Sequence, residues 1–139
     1  MEQIKYKKGY KYQLYETYSI KTNIIGYTVD NEFLKLTPIG MLTCVKGYAW
    51  DGPSGPAIDT SDWMRASLIH DALYQLMRLE FIPKSSREYA DKLMKQLCIE
   101  DKMWRLRAEW SYQAVKICAE RFSDSEYARK IIIAPKIKV

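Results

Sequence analysis

One histidine, His70, and three cysteines with no C-x-x-C pair are all that 139 residues offer for zinc or thiol chemistry. An ordinary zinc site built from several His or Cys ligands is excluded on that inventory. Cys44, Cys98 and Cys118 stand far apart and are odd in number, which marks free thiols of a reducing compartment, read as small buried hydrophobes. A Cys/His peptidase would need a thiol beside His70. Cys98 could approach from a neighbouring helix, but no loop or helix N-terminus is at hand to activate it. P-loop and dinucleotide fingerprints are absent. No run of about 18 apolar residues occurs, and the basic start MEQIKYKKGYKY has no apolar stretch. The expectation is therefore no signal peptide, no transmembrane span and synthesis in the cytoplasm.

What is present suffices for one hydrophobic core: 47% of residues are hydrophobic and 13% aromatic. Residues 1–139 are expected to form a single domain. The net charge of +5 is compatible with anionic partners, but the lysines are spread along the chain rather than massed. Nucleic-acid binding is disfavoured. No recognisable module accompanies the 11 tyrosines, and tyrosines in strands more often form sheet faces than stacking platforms.

Composition divides the chain near residue 50. Residues 1–50 are mainly β: Tyr, Ile, Thr and Val alternate, as in KYQLYETYSI, with turn signals at Asp30-Asn31 and Pro38-Ile39-Gly40. Strands are expected near 12–20, 24–29, 33–37 and 41–46, the last two as a hairpin. Residues 62–122 are helical. A first helix, 62–79, can be capped by Ser61 or Asp62 and places Trp63, Ala66, His70, Leu73, Tyr74 and Met77 on one face. A break at Phe81-Ile82-Pro83 follows. Ser85-Ser86-Arg87-Glu88 reads as a capping box opening a second helix to about Ile99, apolar along Ala90, Leu93, Met94 and Leu97, and antiparallel to the first. A third helix, 101–122, carries Met103, Leu106, Trp110, Ala114, Ile117 and Cys118 as its apolar stripe. Residues 123–139 read as a tail or edge strand, with Pro135 limiting KIIIAPKIKV to an edge. The fold class is α+β: a small N-terminal antiparallel sheet followed by a three-helix part containing an antiparallel helix pair.

Between the halves, residues 51–61 form a Gly/Pro/Asp loop within GYAWDGPSGPAIDTSD. Gly52 and Gly55 permit positive φ and can turn carbonyl oxygens toward a common point. Hard cations such as calcium take carboxylate and carbonyl oxygens together. Asp71, displayed near the loop by the first helix, and Asp51 are the candidate carboxylates. The plainer alternative is a connector in which Asp51 or Ser54 bonds to the loop backbone.

His70 begins the second constellation. In LIHDALYQL, His70 and Tyr74 stand one helical turn apart, and Asp91 of REYADKLM lies beside the apolar stripe of the partner helix. A carboxylate on one ring nitrogen fixes the tautomer and leaves the other free to take a proton from water. Loop, histidine and two carboxylates together describe a hydrolase site.

The order Tyr48, Gly52-Pro53-Ser54-Gly55, Ser61-Asp62, His70-Asp71, Tyr74 and Ala90-Asp91 resembles the phospholipase A2 superfamily, especially its short viral capsid form. The likeness covers roughly a third of the chain. It implies His70 as general base, Tyr74 and Asp91 as its hydrogen-bonded support, and a calcium ion held by Asp71 and the loop at Asp51, Gly52, Ser54 and Gly55. A second resemblance, carried by GYAWDGPSGP, RASLIHDALY and SREYADKLM, is to an uncharacterised family of small tailed-phage and prophage proteins. It implies a phage origin and no particular activity. The β-rich first third is not required by the phospholipase pattern; it could orient the protein on a membrane or dock it into a virion.

The expectation is a phage-derived, calcium-dependent ester hydrolase at a phospholipid membrane surface. It would be made in the host cytoplasm and associate with a virion or host protein. The alternative is a non-catalytic phage protein, a virion component or an inhibitor of a host function, in which Asp, His and Tyr lock the loop to the helices.

Overall fold

Short segments with every second side chain turned inward build the first half. The computed structural model describes residues 4–6, 12–50, 61–122 and 132–134, and side chains within 12–50 and 63–116. Strands β3 (Tyr18–Lys21), β4 (Val29–Asp30), β5 (Leu34–Leu36) and β6 (Met41–Cys44) form a sheet in the order β3-β6-β5-β4, antiparallel throughout. Leu34, Leu36, Leu42 and Cys44 face the core and are essentially inaccessible, as period-2 alternation over a half-buried sheet requires. The expected β5–β6 hairpin is present, with Leu36 opposite Leu42.

Both turn signals operate. Asn31 Oδ1 accepts from the amides of Phe33 and Leu34, at 3.2 and 2.7 Å, closing the β4–β5 turn. Gly40 ends the β5–β6 turn at φ +92°, and a Cβ there would lie 2.3 Å from the Thr22 carbonyl oxygen. Only glycine fits that approach. The expected strand 12–20 is two pieces: β2 (Tyr12–Gln13), which pairs with β7 (Ala49–Trp50), and β3, separated by a bend. The expected strand 24–29 shrinks to Val29–Asp30, because positive φ at Gly26 (+88°) interrupts it. At the chain ends, β1 (Ile4–Tyr6) pairs antiparallel with β8 (Ile132–Ala134), so the expected last β segment exists as one partner of a two-stranded ribbon.

The helices are α1 (Ser61–Arg78), α2 (Arg87–Glu100) and α3 (Arg105–Phe122). Helix α1 is central: Leu68, Ile69, Ala72 and Leu76 are buried along with the expected Trp63, Ala66, Leu73, Tyr74 and Met77, so it meets the core around most of its circumference. Helix α2 buries Ala90, Leu93, Met94 and Leu97 as expected, and Asp91 and Cys98 as well. It runs antiparallel to α1.

The connections depart from the sequence reading in instructive ways. A 3-10 turn, Lys84–Ser86, precedes α2, and Ser86 stands at the N-cap without a side-chain cap bond, so the expected capping box does not form. Glu80 (φ 63°) and Lys102 (φ 74°) take left-handed conformations just past α1 and α2. At α1 the Phe81 amide donates to Leu76 O and the Glu80 amide to Met77 O; at α2 the Met103 amide donates to Cys98 O and the Lys102 amide to Ile99 O. These are Schellman endings built without glycine. The second one stops α2 and moves the start of α3 from the expected residue 101 to Arg105.

The stripe assigned to α3 is also corrected. Leu106 and Trp110 point to solvent, and the packed side is Ala108, Ser111 and Tyr112. Small residues let the α3 backbone approach α2, which bulkier side chains at the same contact would prevent. The side chains of Ile117 and Cys118 lie outside the described residues. One hydrophobic cluster runs from the sheet through Trp50 into all three helices.

Candidate active site

Asp91 is the centre of the constellation. It projects from α2 toward α1 at 2% exposure, and a carboxylate taken that far from water requires donors. Both come from α1. His70 Nε2 lies 2.7 Å from Asp91 Oδ1, and the Tyr74 hydroxyl donates to the same oxygen at 2.6 Å. An ionised carboxylate only accepts, so Nε2 carries the proton of the neutral imidazole and the lone pair resides on Nδ1. The i, i+4 spacing that puts His70 and Tyr74 on one face also stacks their rings, with centroids 4.2 Å apart and planes 32° apart.

Asp71 approaches the ring from the other side. Its Oδ1 is 4.0 Å from His70 Nδ1, a distance at which it acts through its charge and leaves the nitrogen without a direct hydrogen bond. Its side chain is 28% exposed, against 12% for His70. Among the described residues Asp71 has no other ion pair or hydrogen bond. The nearby arginines are engaged elsewhere: Arg65 forks onto Asp101 at 2.8 and 3.0 Å and reaches Glu100 and Tyr18, while Arg78 bonds to Gln75.

The electrostatics follow from this placement. Burial pulls the His70 imidazolium toward deprotonation, but the carboxylates of Asp71 and Asp91 outweigh it and hold the pKa above its ordinary value. Burial, reinforced by the bond to Asp91, raises the Tyr74 phenol far above its usual range, so it stays a protonated donor. Burial pushes the Cys44 thiol up to about 12, which makes it the inert hydrophobe expected; Cys98 is likewise buried.

The structure thus brings together His70, Tyr74, Asp91 and Asp71. The other expected ligands, Asp51, Gly52, Ser54 and Gly55, lie outside the described residues. Among the described residues no group of three or more His, Cys, Asp or Glu could hold a metal ion. Asp71 suits a hard cation as a partly exposed carboxylate whose oxygens no arginine or lysine among the described residues occupies, so any cage would have to be completed by other oxygens. The sequence reading missed the Arg65 clamp, which fastens α1 to the end of α2 and to β3. Its only signal was an arginine on the buried helix α1, where a guanidinium must find acceptors.

Comparison with protein-family models, curated proteins and solved structures finds no match to this chain.

Proposed function

We propose that the protein is a hydrolase in which His70 activates water against an ester, with membrane phospholipid as the substrate and calcium as the cofactor. The observation that carries this reading is the division of labour around one imidazole. Nε2–H is fixed by the buried Asp91, Nδ1 holds the lone pair, and a partly exposed carboxylate with no basic partner among the described residues stands 4.0 Å from it. Asp91 and Tyr74 hold the ring in one tautomer and orientation. His70 Nδ1 takes a proton from water as the oxygen attacks the ester carbonyl; the imidazolium so formed, stabilised by the same two carboxylates that raise its pKa, returns the proton to the alkoxide that leaves as the ester C–O bond breaks. Asp71 would hold the metal with oxygens of the Asp51–Gly55 loop. A calcium ion, when bound, would supply Lewis-acid polarisation of the ester carbonyl and stabilisation of the oxyanion. The resemblance to the phospholipase A2 superfamily supports this reading at the level of motifs, and the resemblance to small phage proteins supports a phage origin, under which the enzyme would act during phage infection or lysis with virion association.

A second reading is favoured by the burial of Asp91: at 2% exposure, with two donors on one oxygen, it has the form of a structural lock between α1 and α2. A non-catalytic virion component or inhibitor of a host function would use it so.

Titration calorimetry with calcium, on the natural sequence and on Asp71→Asn, separates the two. Binding that disappears in the variant, followed by phospholipid hydrolysis that disappears in His70→Gln, is the expected result. No heat at millimolar calcium together with no hydrolysis would overturn the hydrolase and leave the lock.

A further inference from the structure

Residues 102–116 carry an exposed apolar ridge within a basic surround. Trp104 and Leu106 are each 79% exposed and Trp110 is 52% exposed. Trp104 immediately precedes α3, its carbonyl accepting from the Ala108 amide at 2.9 Å, and Leu106 and Trp110 follow at i, i+4 spacing on one side of that helix. The opposite side, Ala108, Ser111 and Tyr112, is consumed by packing, so the ridge takes no part in the core. The same segment contains the cations Lys102, Arg105, Arg107 and Lys116 against one carboxylate, Glu109, which is occupied by Lys95 Nζ and the Gln113 side-chain amide.

We infer that this edge of α3, Trp104, Leu106 and Trp110 with Lys102 and Arg105 beside them, docks the protein onto an anionic lipid surface. Indole rings favour the boundary between headgroups and acyl chains, an aliphatic side chain enters the apolar layer, and basic side chains remain level with the phosphates. Each lysine or arginine near such a surface is attracted by its negative potential. Leu106 distinguishes this partner from a nucleic acid, since an aliphatic side chain offers no flat face for a base to stack on. A second copy of the chain is disfavoured because two basic patches would face one another. The inference deepens the hydrolase reading by naming the surface that meets the substrate. It rests on that reading only for what happens after docking.

The test is co-sedimentation with vesicles of mixed phosphatidylglycerol and phosphatidylcholine, and with phosphatidylcholine alone, together with tryptophan emission. Trp50 and Trp63 are already buried, so a lipid-induced blue shift reports Trp104 and Trp110. The expected result is binding and a blue shift with anionic vesicles, falling as salt rises. Affinity should drop at least about tenfold in Leu106→Ser/Trp110→Ser, and should also fall in Arg105→Glu. These side chains are exposed, and an unchanged thermal melt verifies the variants' fold. Absence of binding to anionic vesicles, binding undiminished in both variants, or displacement from vesicles by a single-stranded oligonucleotide would overturn the inference. His70→Gln keeps the two proposals apart: vesicle binding must survive it, while hydrolysis must not.

Discussion

Tyr74 and His70 share a single acceptor, Oδ1 of Asp91, across the α1–α2 contact. Because that oxygen is buried, removing either donor leaves part of a charge unsatisfied. Tyr74→Phe should therefore cost about 1.5–3 kcal/mol, the range for a hydrogen bond to a charged group. Asp91→Leu should cost less than the sum of Tyr74→Phe and His70→Gln, since it removes the charge both donors serve. Urea unfolding of the three variants measures this. Strict additivity would mean that the two bonds act independently.

His70 gives a pH dependence of defined sign. Its folded pKa lies above the unfolded value of about 6.5, so the folded chain binds the proton more tightly. The resulting stability is fully present below about pH 6.5 and is lost as pH rises through the folded pKa. The difference in unfolding free energy between the natural sequence and His70→Gln should shrink over that interval. Hydrolysis should behave oppositely, rising as the imidazolium surrenders its proton and Nδ1 becomes a base. A stability difference that grows with pH above 6.5 would contradict the assigned electrostatics.

Asp71→Asn should leave stability within about 0.5 kcal/mol, because the side chain is partly exposed and makes no direct hydrogen bond among the described residues. It should nevertheless lower the His70 pKa, which its charge helps to raise, and proton NMR of the chain's one imidazole reads this directly. A loss of 1–3 kcal/mol, the scale for stranding a buried polar partner, would instead place Asp71 inside the structural lock.

Two backbone positions should respond with opposite signs. Gly40→Ala puts a methyl group against the Thr22 carbonyl at a positive φ and should cost more than about 2 kcal/mol. Glu80→Gly relieves a non-glycine residue from the left-handed end of α1 and should stabilise by about 0.5–1 kcal/mol. Thermal unfolding of the pair checks both.

The elements differed in how legible they were. Helices α1 and α2 were readable almost to the residue, since 14–18 residues of repeated apolar spacing leave little choice of face. Asp91 was readable too, because its position beside Ala90 and Met94 turns it toward the partner helix. The strands were harder: with two to four residues each, their ends depend on pairing partners and on local conformations such as that of Gly26. Helix α3 misled in both start and face. A left-handed lysine gives no compositional warning of a helix stop, and the stripe Leu106–Trp110 is as apolar as any core face.

By itself the sequence determined the α+β division, the α1–α2 pairing and the placement of His70, Tyr74 and Asp91 within reach of one another, because helical periodicity is a local property that neighbouring residues fix. Only the tertiary structure decided that one oxygen of Asp91 serves both donors, that Arg65 turns to Asp101 rather than to Asp71, and that α3 turns Leu106 and Trp110 to solvent. Those are choices among competing partners of similar chemistry. Side-chain type cannot resolve them, because the outcome depends on which surfaces the packed helices bring within a few ångströms of each other.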